Sequence, residues 1–219
     1  MKKILIVFLL LIGQLSYAQI GYFSYGNKKA TTGAEPTREY ATWNPSDKSA
    51  NVTLSNGDLT AARNGGSGVV RATMGKASGK WYWEITLTST GGTWDCFTGM
   101  ANNSAVLTGN LGANINGWSV VMDDGGYYNN GAIGLSGAGT FPATTGDVFG
   151  FELNLTDGTL KIYQNDVALT PNPLFTGLLG QTYYPAISVQ AQNNTLTANF
   201  GASAFTYTGH TGFNQGIYN

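Results

Sequence analysis

The chain has 219 residues and a formal net charge of −1, with charged side chains making up only 11% of it, against ~25% in a typical soluble domain. With so few Lys and Arg and no cluster of them, there is no basic footprint, and nucleic acid is excluded as a partner class. The length suffices for one domain with a sizeable core, and the 31 glycines fall between short runs rich in Thr, Val, Tyr, Phe and Trp, the mark of many strands joined by turns.

In chain order, the first feature is an export pattern. Lys2 and Lys3 precede an apolar run from Ile4 to Ile12, and Ser16 and Ala18 put small residues at the −3 and −1 positions. This is the layout of a secretory signal cleaved between Ala18 and Gln19. The run is shorter than the ~20 apolar residues of a membrane span, so residues 1–18 are read as a signal peptide. No transmembrane segment is expected after cleavage, and the expected location is secreted, periplasmic or cell-surface. Residues 19–40 include GNKK and TTGAEPTRE, show little periodicity, and read as a leader or linker. The compact domain is expected over residues 41–219.

Within that domain no stretch sustains a 3.6-residue apolar period, so the expected class is all-β, a sandwich or a closed barrel. In SGKWYWEI and the residues after it, Trp81, Trp83, Ile85 and Leu87 share one face of a strand, and Lys80, Tyr82, Glu84 and Thr86 the other. Two tryptophans in line with Ile and Leu read as core rather than as an exposed stacking platform. Cys96, the only cysteine, sits between aromatic residues in TWDCFTG and reads as a small buried hydrophobe. Further along, Phe149, Phe151, Leu153 and Leu155 alternate with Gly150, Glu152 and Asn154. The Asp157-Gly158 turn then leads into Leu160 and Ile162, alternating with Lys161 and Tyr163, a strong hairpin signal. Asn165-Asp166 makes a second turn, both residues tolerating φ > 0.

These pieces resemble, in order, the motifs of the SPRY (B30.2-related) domain. SGKWYWEI, GDVFGFELNL, GTLKIYQNDV, YYPAISV and ANFG (residues 198–201) are similar to five of its strand and turn signatures. TWNPSDKSANVTLSNGDLTA and the tail FTYTGHTGF (residues 205–213) resemble the version found in bacterial and phage proteins. One departure is Asp166, where the family usually has Gly. The resemblance implies a bent antiparallel β-sandwich of concanavalin-like jelly-roll architecture serving as an interaction module. The family's peptide-binding loops are poorly matched, so no ligand residue is carried over.

The side chains that could support catalysis are scattered. Glycoside hydrolysis needs two carboxylates facing each other at ~5 to 9.5 Å, yet Glu84 and Glu152 lie on different strands, opposite the core stripe. Asp123 and Asp124, the one adjacent pair, read as part of a turn, with calcium as the functional alternative. One Cys and one His cannot make a zinc site, and His210, in the tail, is a poor general base for a Ser or Cys nucleophile. No catalytic residue, metal or cofactor is therefore expected. What remains is recognition, and the candidate surface comprises Trp94 and Asp95 together with Tyr127, Tyr128 and Asn129 of DDGGYYNNG. Tyr beside Asn and Gly suits adaptable contacts; the alternative is an ordinary polar hairpin with one tyrosine packed inward. The expected function is a secreted, non-catalytic module that binds a protein or peptide. A glycan-binding lectin-like sandwich, or a structural adhesin or virion-like component, is the alternative.

Overall fold

A strand rich in Trp, Ile and Leu at alternate positions must find an apolar layer for one face, and here it does so by pairing on both edges inside a sheet. The computed structural model describes residues 37–91, 96–190, 192–208 and 210–219. Among them every element is a strand. The first five are β1 (Trp43–Lys48), β2 (Val52–Ser55), β3 (Thr60–Arg63), β4 (Gly68–Ala72) and β5 (Lys80–Ser89). Next come β6 (Cys96–Asn102), β7 (Gly117–Val121), β8 (Gly126–Tyr128), β9 (Ala132–Leu135) and β10 (Val148–Asn154). The last are β11 (Thr159–Gln164), β12 (Val167–Ala168), β13 (Tyr183–Val189), β14 (Thr195–Asn199) and β15 (Asn214–Gln215).

They form two sheets. One runs β1-β4-β13-β6-β7-β8-β9, and the other β12-β11-β10-β5-β14-β3-β2, with β15 pairing alongside β5. All pairs are antiparallel except β15 with β5, so the expected all-β antiparallel sandwich is what the chain forms. The unit described runs from Arg38. Its two ends meet: Tyr40 bridges Tyr218, and Ala41 N donates to Ile217 O at 2.7 Å.

The core lies between the sheets. Trp83, Ile85 and Leu87 of β5 and Phe149, Phe151 and Leu153 of β10 are fully buried in it, with Leu160 and Ile162 of β11 beside them. Registry aligns Phe151 with Trp83, and their rings stack at 5.0 Å and 6°. The facing sheet contributes Val70, Cys96, Met100, Val120 and Ile187, which places Cys96 as the small buried residue expected. The Asn165-Asp166 turn takes φ values of 49° and 66°, the left-handed pair that a two-residue hairpin between β11 and β12 requires.

Trp81 differs from its expected place. It sits where the stripe reaches the rim, and is half-buried. Its indole N–H donates to Ser78 O at 2.6 Å, and the Lys76 ammonium lies 3.9 Å from its ring centre, a cation–π contact at the edge of the sandwich. Trp83→Ala should therefore cost about 3 to 5 kcal/mol, the range for emptying a buried aromatic site. Trp81→Ala should cost less, under about 2 kcal/mol. Denaturant midpoints of the two variants check this order, and a reversal would contradict the assignment of Trp83 to the core.

Candidate functional site

The expected contact residues separate once β8 is placed. Because adjacent residues of a strand face opposite sides, Tyr127 turns inward and meets Phe175 edge-on at 5.9 Å. Tyr128 turns outward and meets Phe97 edge-on at 5.7 Å, within a smaller apolar cluster on the outer side of that sheet. Burial and then the Asp124 charge raise the Tyr128 hydroxyl above its ordinary pKa. The Asn129 amide is used inside the fold: its Nδ2 donates to Ile115 O at 2.9 Å and to Gly117 O at 2.8 Å, clamping the hairpin tip to the loop before β7. Trp94 and Asp95 lie outside the described residues.

Asp123 and Asp124 are exposed in the turn between β7 and β8, and Asp124 Oδ1 accepts from Gly126 N at 2.8 Å. That is a turn-forming bond. Among the described residues, no three His, Cys, Asp or Glu side chains converge as a metal site would require. Around the hairpin three apolar side chains face solvent: Ile115 is 62% exposed, and Ile133 and Leu135 of the edge strand β9 are 52% and 66% exposed. No charged residue occurs between Asp124 and Asp147. Apart from Asp123 and Asp124 at its base, the region offers aromatic, aliphatic and amide groups, the composition of an interface centre with a polar rim.

A second concentration of chemistry lies on the outer face of the other sheet, where the sequence put Glu84 and Glu152 opposite the core stripe. Both are buried, Glu84 at 1% and Glu152 at 7% exposure, because the segment after β14 lies over them. A buried carboxylate is costly unless it is hydrogen-bonded, and each is. Glu84 accepts Thr206 N and Tyr207 N, both at 2.9 Å, and the Tyr82 hydroxyl at 3.0 Å. Glu152 accepts the Tyr163 hydroxyl at 2.9 Å and faces His210 Nδ1 at 2.9 Å. The His210 ring stacks on Tyr82 at 4.1 Å and meets Tyr163 edge-on at 4.8 Å. Gly150 makes room for this layer, since a Cβ there would stand 2.7 Å from the Tyr82 hydroxyl oxygen. Burial first, then the neighbouring carboxylates, push the Tyr82 and Tyr163 hydroxyls well above their ordinary pKa. Two clefts border the layer, one of ≈ 360 Å³ reaching Lys80, Glu152 and Lys161, the other of ≈ 580 Å³ lined by Phe205, Tyr207, His210 and Phe213.

His210 is the residue that sequence reasoning set aside. The available signal was the alternation itself: Tyr82, Glu84, Gly150, Glu152 and Tyr163 share the outer face of three neighbouring strands, and a tail bearing three aromatic residues and a histidine is long enough to cover it.

This geometry defines a class: a two-sheet β-sandwich whose last strands and C-terminal segment close one face, leaving loops and hairpins for contact. Residues 80–203 match the family model described as the SPRY domain. Ran-binding protein 9 of Xenopus tropicalis and that of Xenopus laevis are each 30% identical over 173 residues, covering 75% of this chain and 31% of theirs. Ran-binding protein 10 of Danio rerio is 28% identical over 75% of this chain and 28% of its own. The crystal structure of the SPRY domain of human HERC1 superposes with a TM-score of 0.62 over 71% of this chain and 96% of that one, at 18% identity. The TRIM65 PSpry domain gives 0.57 over 74% and 92%, at 20% identity. The chain belongs to the SPRY family, whose members are typically protein-interaction modules. It spans less than a third of the curated relatives it matches. Those relatives are from frogs and a fish, so they lend no support to the expected likeness to bacterial and phage proteins.

The raised tyrosines give a pH dependence. Each keeps its proton more tightly folded than unfolded, so their contribution is complete below the unfolded value near 10 and is lost as pH rises beyond it. Wild-type stability should fall as pH passes about 10, and less steeply in Tyr82→Phe and Tyr163→Phe. Equal slopes in all three proteins would contradict the buried hydroxyl–carboxylate layer.

Proposed function

We propose that this chain is an exported, non-catalytic SPRY module that recognises a protein or peptide through the β8–β9 hairpin and the loop clamped to it. Membership of the family supports protein recognition as the kind of activity, and the names of the Ran-binding relatives point the same way. The observation that carries the choice of surface is the group formed by exposed Ile115, Ile133 and Leu135 with partly buried Tyr128. Tyr128 is an anchor already held by Phe97, so it loses little side-chain entropy on binding. The aliphatic side chains around it gain by leaving water. Export rests on Lys2, Lys3, the apolar run and Ala18.

The test begins with protein recovered after export, whose mass should correspond to a start at Gln19. That protein is panned against a displayed random-peptide library and, in parallel, against a glycan array. Peptides should be enriched, and Tyr128→Ala or Ile133→Asp should weaken their binding at least about fivefold, as loss of an interface anchor does, at a temperature where circular dichroism shows both variants folded. Saturable glycan binding with no enriched peptide would overturn the reading, as would peptides indifferent to both substitutions.

A further inference from the structure

Strand β9 ends its sheet, and among the described residues its outer edge pairs with no other strand. One bond beyond the strand fixes where its backbone groups point. Ser136 N donates to Gly125 O at 2.9 Å, and the next opposed residues are Gly126 with Leu135, then Tyr127 with Gly134. Opposed residues of an antiparallel pair alternate between exchanging both backbone bonds and exchanging none. Gly125 and Ser136 stand at a bonded position, so Gly126 and Leu135 stand at an unbonded one, and the N–H and C=O of Leu135 both point to the free edge. Among the described residues, no backbone group beyond the sheet bonds either of them.

The same edge already takes a backbone group two residues on, where Gly137 N donates to Thr170 O at 3.0 Å. The free stretch therefore lies within β9, and a bulge opposite Tyr128 confines regular pairing to its Leu135 end. Leu135 does not stand alone there. Gly126 lies opposite it, directly opposed residues share a face, and a Cβ on Gly126 would stand 2.7 Å from the Tyr128 ring. The ring thus fills the space over Gly126, beside Leu135. Exposed sheet edges are commonly guarded by Lys or Pro. Strand β9 carries neither, and no charged residue occurs between Asp124 and Asp147.

We propose that the partner met at the β8–β9 surface adds to β9 as an extended antiparallel strand, one of its residues exchanging both backbone bonds with Leu135 and packing an apolar side chain beside Leu135 and Tyr128. This mode of contact rests on the β8–β9 surface being the recognition site, and adds to it the partner's backbone conformation. In such pairing the main-chain bonds supply affinity and the alternate side chains selectivity. A charged side chain at the centre would lose water without gaining a counter-charge, so the preferred segment is uncharged there. A second copy of the chain fits less well. The four residues of β9 span about 14 Å at ~3.4 Å each, too short an edge to bury the ~1,200 Å² or more of a stable dimer.

The experiment takes the peptide most enriched when the exported protein is panned against a displayed random-peptide library, and reads amide hydrogen exchange at Leu135 by NMR with and without it. At saturation the Leu135 amide should exchange at least about tenfold more slowly than in the free protein. N-methylation of one central peptide residue, which removes a single backbone donor, should weaken binding about tenfold. A peptide whose binding falls in Tyr128→Ala while the Leu135 amide exchanges as in the free protein would overturn strand addition and leave the surface standing. No enriched peptide, or peptides indifferent to both Tyr128→Ala and Ile133→Asp, would overturn both. A mass that doubles with concentration, with the Leu135 amide protected before any peptide is added, would give the edge to a second copy and overturn the peptide as its occupant.

Discussion

Strand β5 is buried on both faces, and this single constraint shapes the rest of the structure. On one side Trp83, Ile85 and Leu87 need an apolar partner layer, which the opposing sheet and the neighbouring β10 supply. On the other side Tyr82 and Glu84 are equally buried, and a carboxylate in that position must be given donors or be driven neutral. The donors are the backbone amides of Thr206 and Tyr207, more than a hundred residues away in sequence. The C-terminal segment is thus a third layer required by the chemistry of β5.

The same requirement repeats one strand over. Glu152 pairs in register with Tyr82 and receives the Tyr163 hydroxyl and the His210 ring. Two buried carboxylates on adjacent strands would repel each other strongly without the tyrosine hydroxyls, the amides and the imidazole between and around them. This distribution of donors separates the molecule into two working regions. The outer face of the β5 sheet is polar, covered and charge-bearing. The far edge of the other sheet, at β8 and β9, carries exposed Ile133 and Leu135 and is the side proposed for partner contact.

Much of the sandwich was legible in the sequence because its signals are local. The period-two stripes of β5, β10 and β11 and the Asn165-Asp166 turn each depend on residues a few positions apart, and each is found where expected. Trp81 was misplaced by half a layer because alternation tells which face a side chain shares, not how far along the strand that face stays covered. Tyr127 and Tyr128 were grouped by composition, whereas the strand divides them between two faces. The covering tail was legible only indirectly, from the polar and aromatic outer face of β5, β10 and β11 that needs a cover. FTYTGHTGF carries no period, and its contacts are made to side chains on β5, β10 and the β11–β12 turn. His210 accordingly read as a stray residue, although burial and two carboxylates make it the centre of the polar layer.

The central claim, that the C-terminal segment is an integral layer held by buried Glu84, is tested most directly by amide hydrogen exchange at Thr206 and Tyr207, read by NMR at pH 6. Both amides should exchange at least ~10-fold more slowly than in an unfolded chain, and in Glu84→Ala both should lose that protection while the amides of β10 keep theirs. Exchange at the unfolded rate in the unaltered protein, or protection that survives removal of the Glu84 carboxylate, would contradict it.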